Sequence, residues 1–117
     1  MVKVEVTRET GKGRVDAEKG AIRIFRMSGH AGYAETGKDI ICAAASVIIY
    51  TAAAALNQLC GTPENSADIK EGFFELTVPD FIGADAAYRA EVIMETAYIG
   101  FKQIESKHKK YLRVLEK

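Results

Sequence analysis

Residues 28–48 read SGHAGYAETGKDIICAAASVI. The fold turns on where in that stretch a two-residue period gives way to one of about 3.6 residues. Just upstream, AIRIFRM, residues 21–27, predicts a strand with Ile22 and Ile24 on one face and Phe25 and Met27 on the other. AGYAETGK, residues 31–38, has small residues and no periodicity, and reads as a surface loop. Asp39 then fits a helix N-cap, its carboxylate accepting first-turn N–H groups, and the helix is expected from about Ile40 to Leu59.

Working outward, Val2, Val4 and Val6 alternate with Lys3, Glu5 and Thr7, a first strand with one apolar face. Gly61 and Pro63 stop the helix, and SADIKEGFFELTV, residues 66–78, reads as a hairpin turning near Gly72. A second helix is expected from about Asp85 to His108, because Ala87, Ala90, Met94, Ala97, Phe101 and Ile104 step by three and four along one face. YLRVLEK, residues 111–117, supplies a last short strand. The order ββαββαβ predicts an α+β fold: a mainly antiparallel sheet with two helices, in a single domain over residues 1–117.

Composition narrows the function. Lysine plus arginine equal aspartate plus glutamate at 16 each, so the positive field that phosphate-backbone binding demands is missing and direct nucleic-acid binding is not expected. Two cysteines without C-x-x-C spacing suggest neither a disulfide framework nor a metal site, and a reducing, cytoplasmic setting is expected, with no cofactor. The first residues lack the apolar run of a secretory signal. Ile40 to Leu56 is apolar, but it is short, alanine-rich and carries Cys42, Ser46, Tyr50 and Thr51, so a buried helix rather than a membrane span is expected.

Eleven residues separate His30 from Cys42. With Asp39 as cap, Cys42 falls on the third helical position, where free N–H groups and the helix dipole favour a thiolate and face a developing oxyanion. A histidine folded back onto the sulfur adds an imidazolium and a proton shuttle for acyl transfer. The bland alternatives are a small buried hydrophobe at Cys42 and a locally bonded loop histidine at His30. Ser46, four residues on, shares the helical face of Cys42 or bonds back to its carbonyl. Cys60, 18 residues beyond Cys42, is about 27 Å away along one helix and is assigned to packing.

Gly29, His30 and Ala31, followed by Gly37, Asp39, Ile40, Cys42, Ala43, Ala44 and Ser46 in that order and spacing, resemble the ribosomal-processing cysteine protease family, Prp. The resemblance implies a cytoplasmic, homodimeric Cys–His endopeptidase that removes a short N-terminal extension from the precursor of bacterial large-subunit ribosomal protein twenty-seven, without metal or cofactor. It implies Cys42 as nucleophile and His30 as general base and acid. Asp39 and Ser46 are supporting residues, and Gly29 permits the turn beside His30. Since the family's cleaved peptide ends in aromatic residues, Ala31, Gly32, Tyr33 and Gly37 are the expected substrate-binding positions. The competing readings are a non-catalytic ribosome-associated protein-binding module and a small thioesterase using the same two residues.

Overall fold

The computed structural model describes residues 1–29, 36–64, 67–70, 72–80 and 83–117, with the side chains of 36–39, 69 and 70 outside that description. The elements follow in the order β1 (Val2–Glu9), β2 (Ala21–Ser28), α1 (Thr36–Cys60), β3 (Ala67–Lys70), β4 (Phe73–Thr77), α2 (Ala84–Lys107) and β5 (Leu112–Glu116). The strands form one sheet in the order β3-β4-β2-β1-β5. Its pairs are antiparallel except β1 with β5, which are parallel. The expected α+β architecture is therefore present, mostly antiparallel.

Val2, Val4 and Val6 all point inward and are fully buried, as their alternation demands. On β2 the faces differ from expectation: Ile22, Phe25 and Met27 are buried together while Ile24 is half-buried on the other side. The register explains it. Arg8 pairs with Ile22 and Thr7 with Ile24, so Arg23 is an extra residue, a β-bulge that reverses the alternation from there on.

Both helices cover the valine face. From α1, Ile41, Ala45, Ile49, Ala52 and Leu56 are buried, and from α2, Ala90, Met94, Ala97 and Phe101, all in one cluster with the inner strand residues. Each fully buried large side chain contributes about 1.5–3 kcal/mol, and Phe25 meets Phe101 edge to face with ring centroids 5.4 Å apart. Ala87, expected in the α2 stripe, is exposed, and the half-buried Ala86 packs against the core.

Helix α1 is long and apolar enough over Ile40–Cys60 to cross a membrane, by length and composition. One face of it forms the core just described. The other does not match the expectation of a buried helix: Ile40 is 62% and Val47 64% exposed. At its C-terminal end, where the last turn carries no basic residue of its own, Arg89 of α2 donates from Nε to the Leu59 carbonyl at 2.8 Å. That places a cation at the negative end of the helix dipole.

Candidate active site

Helix α1 begins at Thr36, one turn before the expected start. The signal lies in the sequence: Thr36 and Asp39 have the S/T-x-x-D spacing of a helix beginning, one turn upstream of Asp39 itself. Three expectations change with it. Asp39 is the fourth helical residue rather than the N-cap; Gly37 belongs to the first turn rather than to a loop; and Cys42 is the seventh residue, in the second turn. The free N–H groups of an α-helix belong to its first four residues, here 36–39, so the backbone N–H of Cys42 is committed within the helix. The oxyanion donors and thiolate support expected from Cys42 as a third-position residue are thereby removed.

Cys42 is half-buried and packs against the edge of the core. Its spacing with Ser46 and Tyr50 puts all three on one flank of α1. That flank looks toward β4, since the Tyr50 ring meets Phe74 edge-on at 5.1 Å. Ser46 is half-buried one turn from the sulfur. Cys60, by contrast, is 8% exposed at the last residue of the helix. Burial pushes its thiol up, against the opposing charge and hydrogen bond of Arg89, in keeping with the packing role expected of it.

Gly29 closes β2 on the side from which the chain proceeds to α1. It adopts φ +79°, and an added Cβ would lie 2.1 Å from the Met1 carbonyl oxygen. No L side chain fits there. Its N–H donates to the Gly72 carbonyl at 3.2 Å. His30, Ala31, Gly32 and Tyr33 lie outside the described residues, as does the Asp39 side chain. Of the expected set, the structure therefore describes the surroundings of Gly29, Cys42 and Ser46.

Two further features were not anticipated. An apolar groove of about 370 Å³ runs between the outer faces of the helices, lined by Val47, Ile48, Thr51, Val92, Thr96 and Gly100 among others. It lies on the α2 flank of α1, away from Cys42. At the start of β2 a cleft of about 340 Å³ brings the charged residues Glu9, Arg23, Asp80 and Glu91 together among apolar neighbours. Its charges are used internally: Glu91 Oε1 accepts the N–H groups of Arg14 and Val15, both at 2.7 Å, and Arg23 pairs with Asp80 at 2.6 Å and with Glu9. Among the described residues no cluster of three or more histidine, cysteine or carboxylate side chains is placed to hold a metal ion.

The family model described as cysteine protease Prp matches residues 1–113. The ribosomal processing cysteine protease Prp of Bacillus subtilis is 31% identical over 116 residues, covering 97% of this chain and 96% of that one. Its counterpart from Staphylococcus aureus is 26% identical over 98 residues, covering 83% of this chain and 89% of that one. Among solved structures, S. aureus Prp in complex with a substrate peptide superposes with a TM-score of 0.80 at 23% identity, and both chains are covered completely. The same enzyme with a covalently linked product peptide gives 0.73 at 24%, again over the whole of both chains. At those identities the structural likeness speaks for the fold.

Proposed function

The chain belongs to the cysteine protease Prp family, and from that premise we propose that it removes the N-terminal extension of the precursor of bacterial large-subunit ribosomal protein twenty-seven, in the cytoplasm, with Cys42 and His30 as a catalytic dyad. The observation that carries the reading is the family match over residues 1–113, which spans both residues. The half-buried position of Cys42 on a rigid core helix supports it, because a nucleophile must be held firmly and still be reachable.

In this reading the imidazole of His30 takes the thiol proton as Cys42 Sγ attacks the scissile carbonyl carbon. The C–N bond then breaks, the same proton goes to the leaving amine, and an acyl-thioester remains on sulfur. Water, deprotonated by His30, attacks the thioester carbonyl; the C–S bond breaks and the proton returns to sulfur, which restores the thiol. Asp39 and Ser46 support the pair. The residues between His30 and the start of α1 supply contacts to the extended peptide.

The exposed apolar face formed by Ile40, Val47, Val92 and Ile99 supports the family's homodimeric state for this chain. Exposed apolar side chains grouped on two neighbouring helices are what an association surface requires.

The test is digestion of the precursor protein by wild type, Cys42→Ala and His30→Ala, read by intact-mass spectrometry. Wild type is expected to release the extension, and both variants to leave the precursor whole while keeping their fold. Wild-type turnover by either variant would remove the dyad, and no cleavage by any of the three would favour the binding module.

A further inference from the structure

The β2–β4 ladder ends with Ser28 opposite Phe73, and one step beyond it Gly29 donates its N–H to the Gly72 carbonyl at 3.2 Å. Gly72 stands immediately before β4, beside the Lys70–Phe73 pair of the β3–β4 ladder, and it adopts φ +72°. Gly29, at φ +79°, faces it. Two left-handed glycines, 43 positions apart in sequence, thus share the bond that finishes the ladder. The opposite side of Gly29 is closed by the Met1 carbonyl, 2.1 Å from where a Cβ would stand. Met1 is itself tied down through its neighbour, because the Val2 N–H donates to the Tyr111 carbonyl at 2.8 Å.

We propose that Gly72 is a positioning residue for His30, acting through the hydrogen bond its carbonyl accepts from Gly29; this rests on the catalytic reading of Cys42 and His30. The peptide plane between Gly29 and its successor leaves β2 in a direction fixed by the φ and ψ of Gly29. Of the two flanking groups, it is the Gly72 carbonyl that holds the Gly29 backbone, through the bond it accepts, while the Met1 carbonyl leaves no room for a side chain at position 29. The Gly72 carbonyl points at Gly29 only while its own backbone stays left-handed, a region L side chains disfavour and D side chains prefer. The hairpin therefore contributes to catalysis without touching substrate, by fixing where the histidine segment starts.

The chirality of residue 72 provides the test. Full-length chain assembled by peptide ligation, with L-alanine or D-alanine at position 72, is compared with wild type and His30→Ala for kcat and KM on a fluorogenic peptide. The rate of Cys42 alkylation by iodoacetamide is followed in parallel from mildly acidic to mildly alkaline pH. Gly72→Ala in the L form is expected to lower kcat by on the order of tenfold to a hundredfold with KM little changed. Its low-pH alkylation limb should move toward that of His30→Ala, and the D form should restore both. Wild-type kcat and pH profile in the L form, or equal impairment in both forms, would overturn the proposal. Should the L form fail to fold, Gly72→Asn, which tolerates the left-handed region, is expected to keep the wild-type profile, and loss of it there counts against the proposal equally. If His30→Ala itself retains wild-type turnover and alkylation, the catalytic reading fails and this proposal with it; a His30 effect without a Gly72 effect sinks the positioning role alone.

Discussion

Cys42 and Cys60 occupy one face of α1, 18 residues or about five turns apart, the first half-buried in the second turn and the second 8% exposed at the final residue. A separation of about 27 Å excludes a disulfide within the chain. Burial pushes the Cys60 thiol up, so at neutral pH it stays protonated and shielded. Iodoacetamide near neutral pH is therefore expected to label Cys42 at least tenfold faster than Cys60, and His30→Ala should slow the labelling of Cys42. Peptide mapping over a time course reads this, and equal rates at both cysteines would mark Cys42 as an inert core residue.

Val47 is expected to control assembly. It is 64% exposed and lines the groove between the helices, outside the core stripe of Ile41, Ala45 and Ile49. Light scattering of the wild type should give twice the 12.8 kDa chain mass at micromolar concentration. Val47→Asp should give a monomer with unchanged helix content, since a carboxylate in a dimer interface is costly to desolvate. A dimer that survives the substitution moves the interface elsewhere.

Glu105 links α2 to β5 and sets part of the acid limb of stability. Its side chain is 13% exposed; Oε2 accepts the Val114 N–H at 2.6 Å and Oε1 pairs with Lys102 at 2.7 Å. Burial by itself would raise this carboxyl, but the Lys102 and Val114 hydrogen bonds and the charges of Lys102 and Arg113 outweigh it and hold it below the usual range. A lowered folded-state pKa means stability present above the unfolded carboxylate value, about 4.3, and lost as pH falls through the lower folded value. Glu105→Gln is expected to cost about 1 kcal/mol at pH 7, roughly 3–6 °C in Tm for a domain of this size. The gap to wild type should narrow toward pH 3. A gap independent of pH would show that the charge of Glu105 contributes nothing.

What could be read in the sequence was whatever repeats with a single period. Val2, Val4 and Val6 fixed β1 because no irregularity interrupts them, and Met94, Ala97 and Phe101 fixed the α2 face the same way. β2 was found but its faces were not, because the bulge at Arg23 depends on register against Arg8, a property of the pair. The first turn of α1 is hidden for a different reason: small residues and Gly37 make no apolar stripe, so Thr36–Lys38 reads as loop, with Asp39 as the cap, although the stretch carries a start spacing. That displaced Cys42 by a turn, from third to seventh residue, and with it the argument from free N–H groups. That Cys42 and Ser46 share a face of α1 does not depend on where the helix begins, since a spacing of four is the same throughout it. The bond from Gly29 to Gly72 leaves no trace in composition; it exists only once the hairpin is folded against β2.

The proposed substrate is an extended peptide with an aromatic residue before the scissile bond, which must leave its ring in an apolar pocket while its carbonyl reaches Cys42. On the described flank of α1 the apolar neighbours are Tyr50 and Phe74, already in edge contact at 5.1 Å and two turns from the sulfur. Tyr33, the other aromatic candidate, lies outside the described residues. Burying one ring contributes roughly 1.5–3 kcal/mol, so replacing the substrate's phenylalanine by alanine is expected to lower kcat/KM by about tenfold to a hundredfold. Whether the loss falls in KM or in kcat locates the contact: a rise in KM alone means the ring is held equally in ground and transition states, and a fall in kcat means it aligns the scissile carbonyl with sulfur. Fluorogenic peptides differing only at that residue separate the two, and equal kcat/KM for both would eliminate the aromatic pocket.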